Sequence, residues 1–136
     1  MTVPLFELTV PNAQAFLLAH IAPLGPCGTT RVEGGDPIFR QVNNIDGADD
    51  LNIYSTQAIL SVHTFGPTET IATREAEITH RRILLLGTEL FDVPMKDGRI
   101  VNADYFDVQQ RPILRDYKAD NVFRLKAVYE IGLDYS

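Results

Sequence analysis

The sequence predicts an α+β domain: a mainly antiparallel sheet of about four strands, with one long helix and an N-terminal helix packed on it. Three observations carry this expectation. A strand-like run from Gln57 to Phe65 passes through Gly66-Pro67 straight into an amphipathic helix that reaches Leu86. Asn121 to Leu133 alternates apolar and polar residues with the period of two of a strand buried on one face. The late strands are joined by loops without crossover helices, and such connections link antiparallel neighbours.

Val10-Pro11 opens a first helix that runs to about Ile21. Proline is tolerated in a first turn because its missing N–H would have no partner there. Ala13, Phe16, Leu17 and His20 share one face of this helix, and Pro23, Gly25 and Pro26 end it. Thr29 to Val32 reads as a short strand cut by Gly34-Gly35, and Ile38 to Ile45 as a second strand. Asn43, Asn44, Asp46, Gly47, Asp49 and Asp50 read as a polar turn region, since such side chains compete for backbone hydrogen bonds. Within 57–65, Ala58, Leu60 and Val62 share one face, and Ile59, Ser61, His63 and Phe65 the other. Apolar groups on both faces predict partial cover on each side, yet a domain of this size has helix enough for one.

Thr68 is placed to cap the long helix, with Glu69 in the first turn where the macrodipole favours an acid. Ala72, Ala76, Thr79, Ile83 and Leu86 form its apolar stripe. Arg74, Glu75, Glu77, Arg81 and Arg82 lie mostly off that stripe, and His80 is expected at the surface beside the two arginines. Gly87 supplies the stop. Lys96-Asp97-Gly98 is a turn signal, Arg99 to Val108 a strand, and Pro112 the end of what precedes it. In the last strand Phe123, Leu125, Ala127, Tyr129, Ile131 and Leu133 face one way, and Arg124, Lys126 and Glu130 the other.

At 136 residues the chain fits one domain with a core that needs no disulfide or metal. A net charge of −6 argues against a basic face for nucleic acid or anionic membrane. Arg81-Arg82 and the Arg111 to Lys118 region are the candidates for a local basic patch, and solvated surface is the expectation for both. Cys27 is the single cysteine, so no intrachain disulfide forms, and no base near it in sequence depresses its pKa. No Lys or Arg precedes Arg31 and no cleavage-like site follows AFLLAHIA, so no secretory signal is expected. No apolar run approaches the ~20 residues of a bilayer span.

Motifs for catalysis are missing from the sequence. His20, His63 and His80 do not stand at metal-ligand spacing with one another or with Cys27. Asp46, Asp49 and Asp50 lack the D-x-D-x-D-G pattern and closing glutamate of a calcium loop. There is no phosphate-binding glycine loop, and no tryptophan for a base-stacking platform. Ser61 and His63 alternate on one strand face, but a nucleophile–base pair also needs an orienting acid. A small enzyme using His63 is therefore the weakest alternative; no enzyme and no cofactor are expected.

Four segments resemble the tail terminator proteins of long-tailed, siphovirus-type bacteriophages, most closely those of actinobacterial phages. PNAQAFLLAHIAPLG is followed by a turn and a strand entering RVEGGDPIFRQVNNIDG. TQAILSVHTFGPT feeds TETIATREAEITHRRILLL, DGRIVNADYFDVQQRPILRDY is similar to the family's variable hairpin arm, and DNVFRLKAVYEIGL to its last strand. The likeness spans nearly the whole chain as a pattern of elements and spacings, with an arm around 88–120. Other ring proteins of the head–tail neck share a related plan.

The resemblance implies a structural virion protein without an active site. It would form a ring, expected as a hexamer, that caps the tail tube, ends tube polymerisation and offers a surface for head attachment. Implied partners are further copies of itself, the tail tube protein and head–tail connector or neck proteins, with no membrane. DNA would enter only as a passing, non-specific strand, which the acidic balance suits. The implied location is the head-proximal end of the virion tail, after synthesis in the host cytoplasm. The alternative is another neck protein: a head–tail connector, stopper or tail completion protein. Loops on a scaffold carry most recognition. Contacts are therefore expected at the polar loop, through Asp46, Asp49, Asp50 and Asn52, and at the arm, through Lys96, Asp97 and Arg99.

Overall fold

The computed structural model describes residues 12–32, 34–50, 55–88, 91–115 and 122–134. Helix α1 (Ala13–Ile21) runs into a 3-10 turn, Ala22–Leu24, and is followed by β1 (Cys27–Gly28), β2 (Phe39–Asp50) and β3 (Ser55–Gly66). Helix α2 (Glu69–Leu84) continues as a 3-10 turn, Leu85–Gly87, and then come β4 (Val93–Pro94), β5 (Ile100–Val101), β6 (Tyr105–Arg115) and β7 (Phe123–Asp134). Five strands form one sheet in the order β1-β2-β3-β7-β6, while β4 and β5 make a separate two-stranded hairpin. β1 runs parallel to β2 and the other neighbours in the sheet are antiparallel. The α+β expectation therefore holds, with β2, β3, β7 and β6 as its four long strands and β1 as a two-residue addition.

Both helices pack on one sheet face. Phe16, Leu17 and Ile21 of α1 and Ile83 of α2 close over Val42, Leu60, Val62, Ala127, Tyr129 and Ile131. The α1 face read from sequence is buried as expected, and so is the whole α2 stripe of Ala72, Ala76, Thr79, Ile83 and Leu86. Thr68 caps α2, its side chain accepting from the Ile71 N–H at 3.1 Å. Asn12 does the same for α1, accepting from Ala15; Val10 and Pro11, the expected helix opening, lie outside the described residues.

The helix layer is also tied down by polar groups. Arg40, 1% exposed, stands on the helix side of β2. Its Nε donates to Thr79 Oγ1 at 2.7 Å and its Nη2 to Glu75 Oε2 at 2.6 Å. A buried cation is tolerated only when paired and hydrogen-bonded, so this contact locks β2 to α2. At the other end, His20 Nε2 donates to the Arg82 carbonyl at 2.6 Å, and Arg82 Nε donates back to the His20 carbonyl at 2.9 Å. Arg82 thus staples α1 to α2 and also lies over Phe91, so it is not the purely solvated residue expected.

Five further expectations are corrected. Thr29 to Val32 is not a strand; the pairing segment is Cys27–Gly28, because β1 meets β2 at Arg40 and Gln41. The stretch Asn43 to Asp50 is not a turn but the second half of β2, carried past a β-bulge between Asn44 and Asp46. The bulge leaves Ile45 unpaired and 52% exposed. Gln14 of α1 accepts from the Asn44 N–H at 2.8 Å, so the disturbed ladder keeps a partner there. Pro112 does not end its strand: it sits inside β6, at the sheet edge and at a register shift, where a missing N–H is tolerated. His80 is buried, with Nδ1 2.6 Å from the Tyr129 hydroxyl, because α2 leans its flank onto β7. Gly87 ends a 3-10 turn without a positive φ, and its need for glycine is spatial, since a Cβ would stand 2.6 Å from the Phe106 ring.

Gly66 admits no side chain: a Cβ there would meet Ala72 N at 2.6 Å and Ala72 Cα at 2.7 Å, both backbone atoms. Gly66→Ala is expected to lower stability by about 2–3 kcal/mol through displacement of the first turn of α2. Urea unfolding measures it, and an unchanged midpoint would show that the junction has slack.

Candidate interaction surfaces

The described helices leave the second face of the sheet bare. Strand register places its residues in rows across the sheet. One row reads Phe39, Phe65, Arg124 and Arg115; the next reads Gln41, His63, Lys126 and Ile113. Further along come Asn43, Ser61, Val128 and Gln110, and then Asp46, Ile59, Glu130 and Asp107. Cations thus gather at one end and carboxylates at the other, about four residue pairs away, giving the face an electrostatic polarity. Phe65 is nearly covered, with the Arg31 guanidinium 5.3 Å from its ring centre. The acidic end is a shallow dish of about 170 Å³ bordered by Asp46, Gln57, Ile59 and Glu130. Gln109 bridges two of its acids, donating to Asp107 at 3.2 Å and Glu130 at 3.4 Å.

His63 lies at the centre of the cationic end. Its pKa is pushed down to about 4, first by burial and then by Arg124 and Lys126. Its Nδ1 is buried with no hydrogen-bond partner among the described residues. A base this weak, flanked by cations and not by an orienting carboxylate, is badly suited to proton abstraction at neutral pH. Ser61 meanwhile donates to the Asn43 carbonyl at 3.5 Å, away from any triad. His63 is instead a neutral, half-buried side chain on a face that tolerates further burial.

The second surface lies on the helix layer. A groove of about 520 Å³ runs between α1, β1 and the β4–β5 hairpin. Ala15, Leu18, Ala19 and Ala22 form one wall, Cys27 and Met95 contribute apolar atoms opposite, and Lys96, Asp97 and Arg99 stand on the rim. The hairpin turn is rigid for its size. Met95 N–H donates to the Arg99 carbonyl at 2.8 Å, and Gly98 adopts φ 92°, which suits glycine. Asp97 accepts from the Arg99 N–H and pairs with its guanidinium at 2.9 Å, contacts that hold the carboxyl below its ordinary pKa. The Cys27 thiol pKa is raised, burial outweighing the opposing fields of Arg40 and Lys96. The structure brings two cationic side chains near this thiol, and desolvation still wins.

The expected contact residues therefore fall into two separate places. Lys96, Asp97 and Arg99 sit together on the groove rim. Asp46 borders the dish on the bare sheet face, and Asp49 and Asp50 pair with Thr56 and Ser55 at the end of β2, in a strand and not a loop. Asn52 lies outside the described residues. The span 88–120 holds the β4–β5 hairpin and the edge strand β6. Arg111 reaches Glu77 at 3.3 Å with both side chains exposed, a pairing that adds little stability. No group of three or more potential metal ligands occurs among the described residues. No described helix is long and apolar enough to cross a membrane. Sequence reasoning missed the polarity of the bare face, because its charges come from β2, β6 and β7 and meet only through register.

No protein-family model matches this sequence, and no curated protein matches it. Among solved structures, a chain from the virion of a native gene transfer agent particle is similar. That likeness has a TM-score of 0.56 at 12% identity and covers 91% of this chain and 87% of that chain. At this identity the likeness is one of fold.

The depressed pKa of His63 has a directional consequence. The folded state holds fewer protons on this ring than the unfolded state between the folded value, about 4, and the ordinary 6.5. Its contribution to stability is therefore complete above pH 6.5 and lost as pH falls toward 4. His20 and His80, also lowered mainly by burial, act in the same direction. His63→Gln is expected to flatten the fall of the urea midpoint between pH 6.5 and 4, and NMR of the imidazole Cε1–H should place the wild-type titration near pH 4. A titration near 6.5 would show the ring to be freely solvated.

Proposed function

We propose that this chain is a structural virion protein of the tail terminator kind: it forms a ring on the end of a finished tail tube, stops addition of tube subunits and offers a surface to the head. The observation that carries this reading is the fold shared, over nearly the full length of both chains, with a component of a gene transfer agent virion. The resemblance of the four sequence segments to tail terminators supplies the finer assignment. The surfaces agree with it in physical terms. A cyclic ring needs two different patches on each copy that complement one another. A bare sheet face with cations at one end and acids at the other, and a separate groove with a charged rim, are surfaces of that kind. The mechanism is stereochemical: one ring face matches the tube, and the other fails to recruit a further tube subunit.

Electron microscopy of lysates from a phage or phage-like particle with a stop codon in this gene tests the reading. Overlong tails without heads are expected, because length control is lost. Tails of normal length beside filled, unattached heads would reassign the chain to a joining protein of the neck, and intact particles would remove the virion role. The hairpin rim has its own test. Lys96→Glu with Arg99→Glu is expected to abolish ring or tail association in sedimentation, while monomer stability changes by less than ~0.5 kcal/mol. Retained association would take the hairpin out of the interface.

A further inference from the structure

The charges of the bare sheet face are laid out symmetrically about one of its rows. That row, Asn43, Ser61, Val128 and Gln110, carries no charge and crosses the middle of the face. On β7, Lys126 stands two residues to one side of Val128 and Glu130 two residues to the other. On β3, His63 and Ile59 flank Ser61 in the same way, and on β2 Gln41 and Asp46 flank Asn43, the bulge included. Lys126 and Glu130 are ~14 Å apart along one strand, so they cannot neutralise each other within a copy. Among the described residues Lys126 forms no ion pair, and Glu130 receives the long contact from Gln109 at 3.4 Å.

We propose that two copies of this chain pack these faces together as a two-fold dimer, with the axis along the row from Asn43 to Gln110. Rotation about that axis exchanges the two ends of the face and keeps each strand opposite its own counterpart. Lys126 of one copy then faces Glu130 of the other, twice over, and His63 faces Ile59. The imidazole is uncharged at neutral pH, which suits an aliphatic neighbour. On β6, Asp107 of one copy comes one row from Arg115 of the other. An axis along the strands would instead stack cationic end on cationic end, so the charges select the first arrangement. Four strands about 4.8 Å apart, each showing roughly nine residues, give a patch of about 600 Å². Two such patches bury roughly 1,200 Å² in all, the lower limit for a specific interface, so the dimer is weak and exchanging. Such a dimer hides the bare face of the free chain and gives it up readily; in the ring proposed above, that release would precede contact with a neighbour's groove. The dimer itself stands on the sheet face and does not rest on the virion role.

Sedimentation velocity of the full chain over a concentration series reads this contact. The wild type is expected to pass from monomer to dimer in the micromolar range or above. Lys126→Glu and Glu130→Lys each turn both attractive pairs into repulsive ones, and each is expected to weaken the dimer roughly tenfold or more. An equimolar mixture of the two variants sets opposite charges against each other again and is expected to recover a mixed dimer. Lys126→Glu with Glu130→Lys in one chain is expected to recover the dimer alone, and recovery also shows that the single variants fold. A wild type that stays monomeric at millimolar concentration would overturn the proposal. So would a dimer that neither variant weakens, or one that the mixture fails to restore. A hexamer in place of the dimer would overturn it as well and leave the ring reading standing.

Discussion

The contact between Gly66 and Ala72 is the constraint from which the helix layer is built. β3 ends at Gly66, α2 is capped at Thr68, and two residues separate the last strand residue from the first helical one. The chain can turn so abruptly only if the helix backbone comes down onto the strand. The absent side chain at Gly66 and the methyl of Ala72 permit that approach. Once the first turn of α2 is fixed there, the stripe dictates the rest. Ala72 and Ala76 hold the helix close over Leu125, while Ile83 and Leu86 fill the wider space where α1 joins the core. Small residues of α2 thus pack with Leu125 of β7, and its larger ones join the core that α1 shares.

A helix laid so firmly on one face decides what the polar residues must do. Arg40 is on the covered side because β2 alternates, and it cannot reach water, so Glu75 and Thr79 of α2 answer it. His80 and Tyr129 meet for the same reason across the α2–β7 contact. The Tyr129 hydroxyl stays protonated, its pKa raised chiefly by burial and further by Glu77, so the pair remains neutral. These contacts contribute less by their gross strength than by the cost of leaving any one of them unmade. They select one registration of helix on sheet among the many that a purely apolar stripe would accept.

Much of this is legible in the sequence itself. The α2 stripe, the buried face of α1 and the alternation of β7 are periodic signals, and periodicity survives without knowledge of the neighbours. What was illegible depended on neighbours. Asn43 to Asp50 has the composition of a turn, but β3 is long enough to pair with all of it, and the bulge at Asn44/Asp46 absorbs the mismatch. Pro112 ends a strand only when its missing N–H would face a partner, and β6 lies at the sheet edge. His80 looked like surface because Arg81 and Arg82 follow it, yet one helical step separates a buried flank from a wet one. Of the contact residues, Lys96, Asp97 and Arg99 form a compact turn as their Asp-Gly signal indicated, whereas the acids of β2 are distributed along a strand.

The bare sheet face and the groove differ in the way that a head-to-tail assembly requires. If a single patch mediated association, two copies would meet face to face and the contact would close on itself as a dimer. Rings form when a patch on one copy meets a different patch on the next. Here the two surfaces lie on opposite sides of the sheet, one polar and electrostatically divided, the other apolar with a charged rim. The divided face remains soluble while exposed, because Arg124, Lys126, Asp107 and Glu130 keep its ends hydrated. In a ring of the kind proposed, the charge polarity of the helix-free face would give its contact with the groove rim of the next copy a preferred direction.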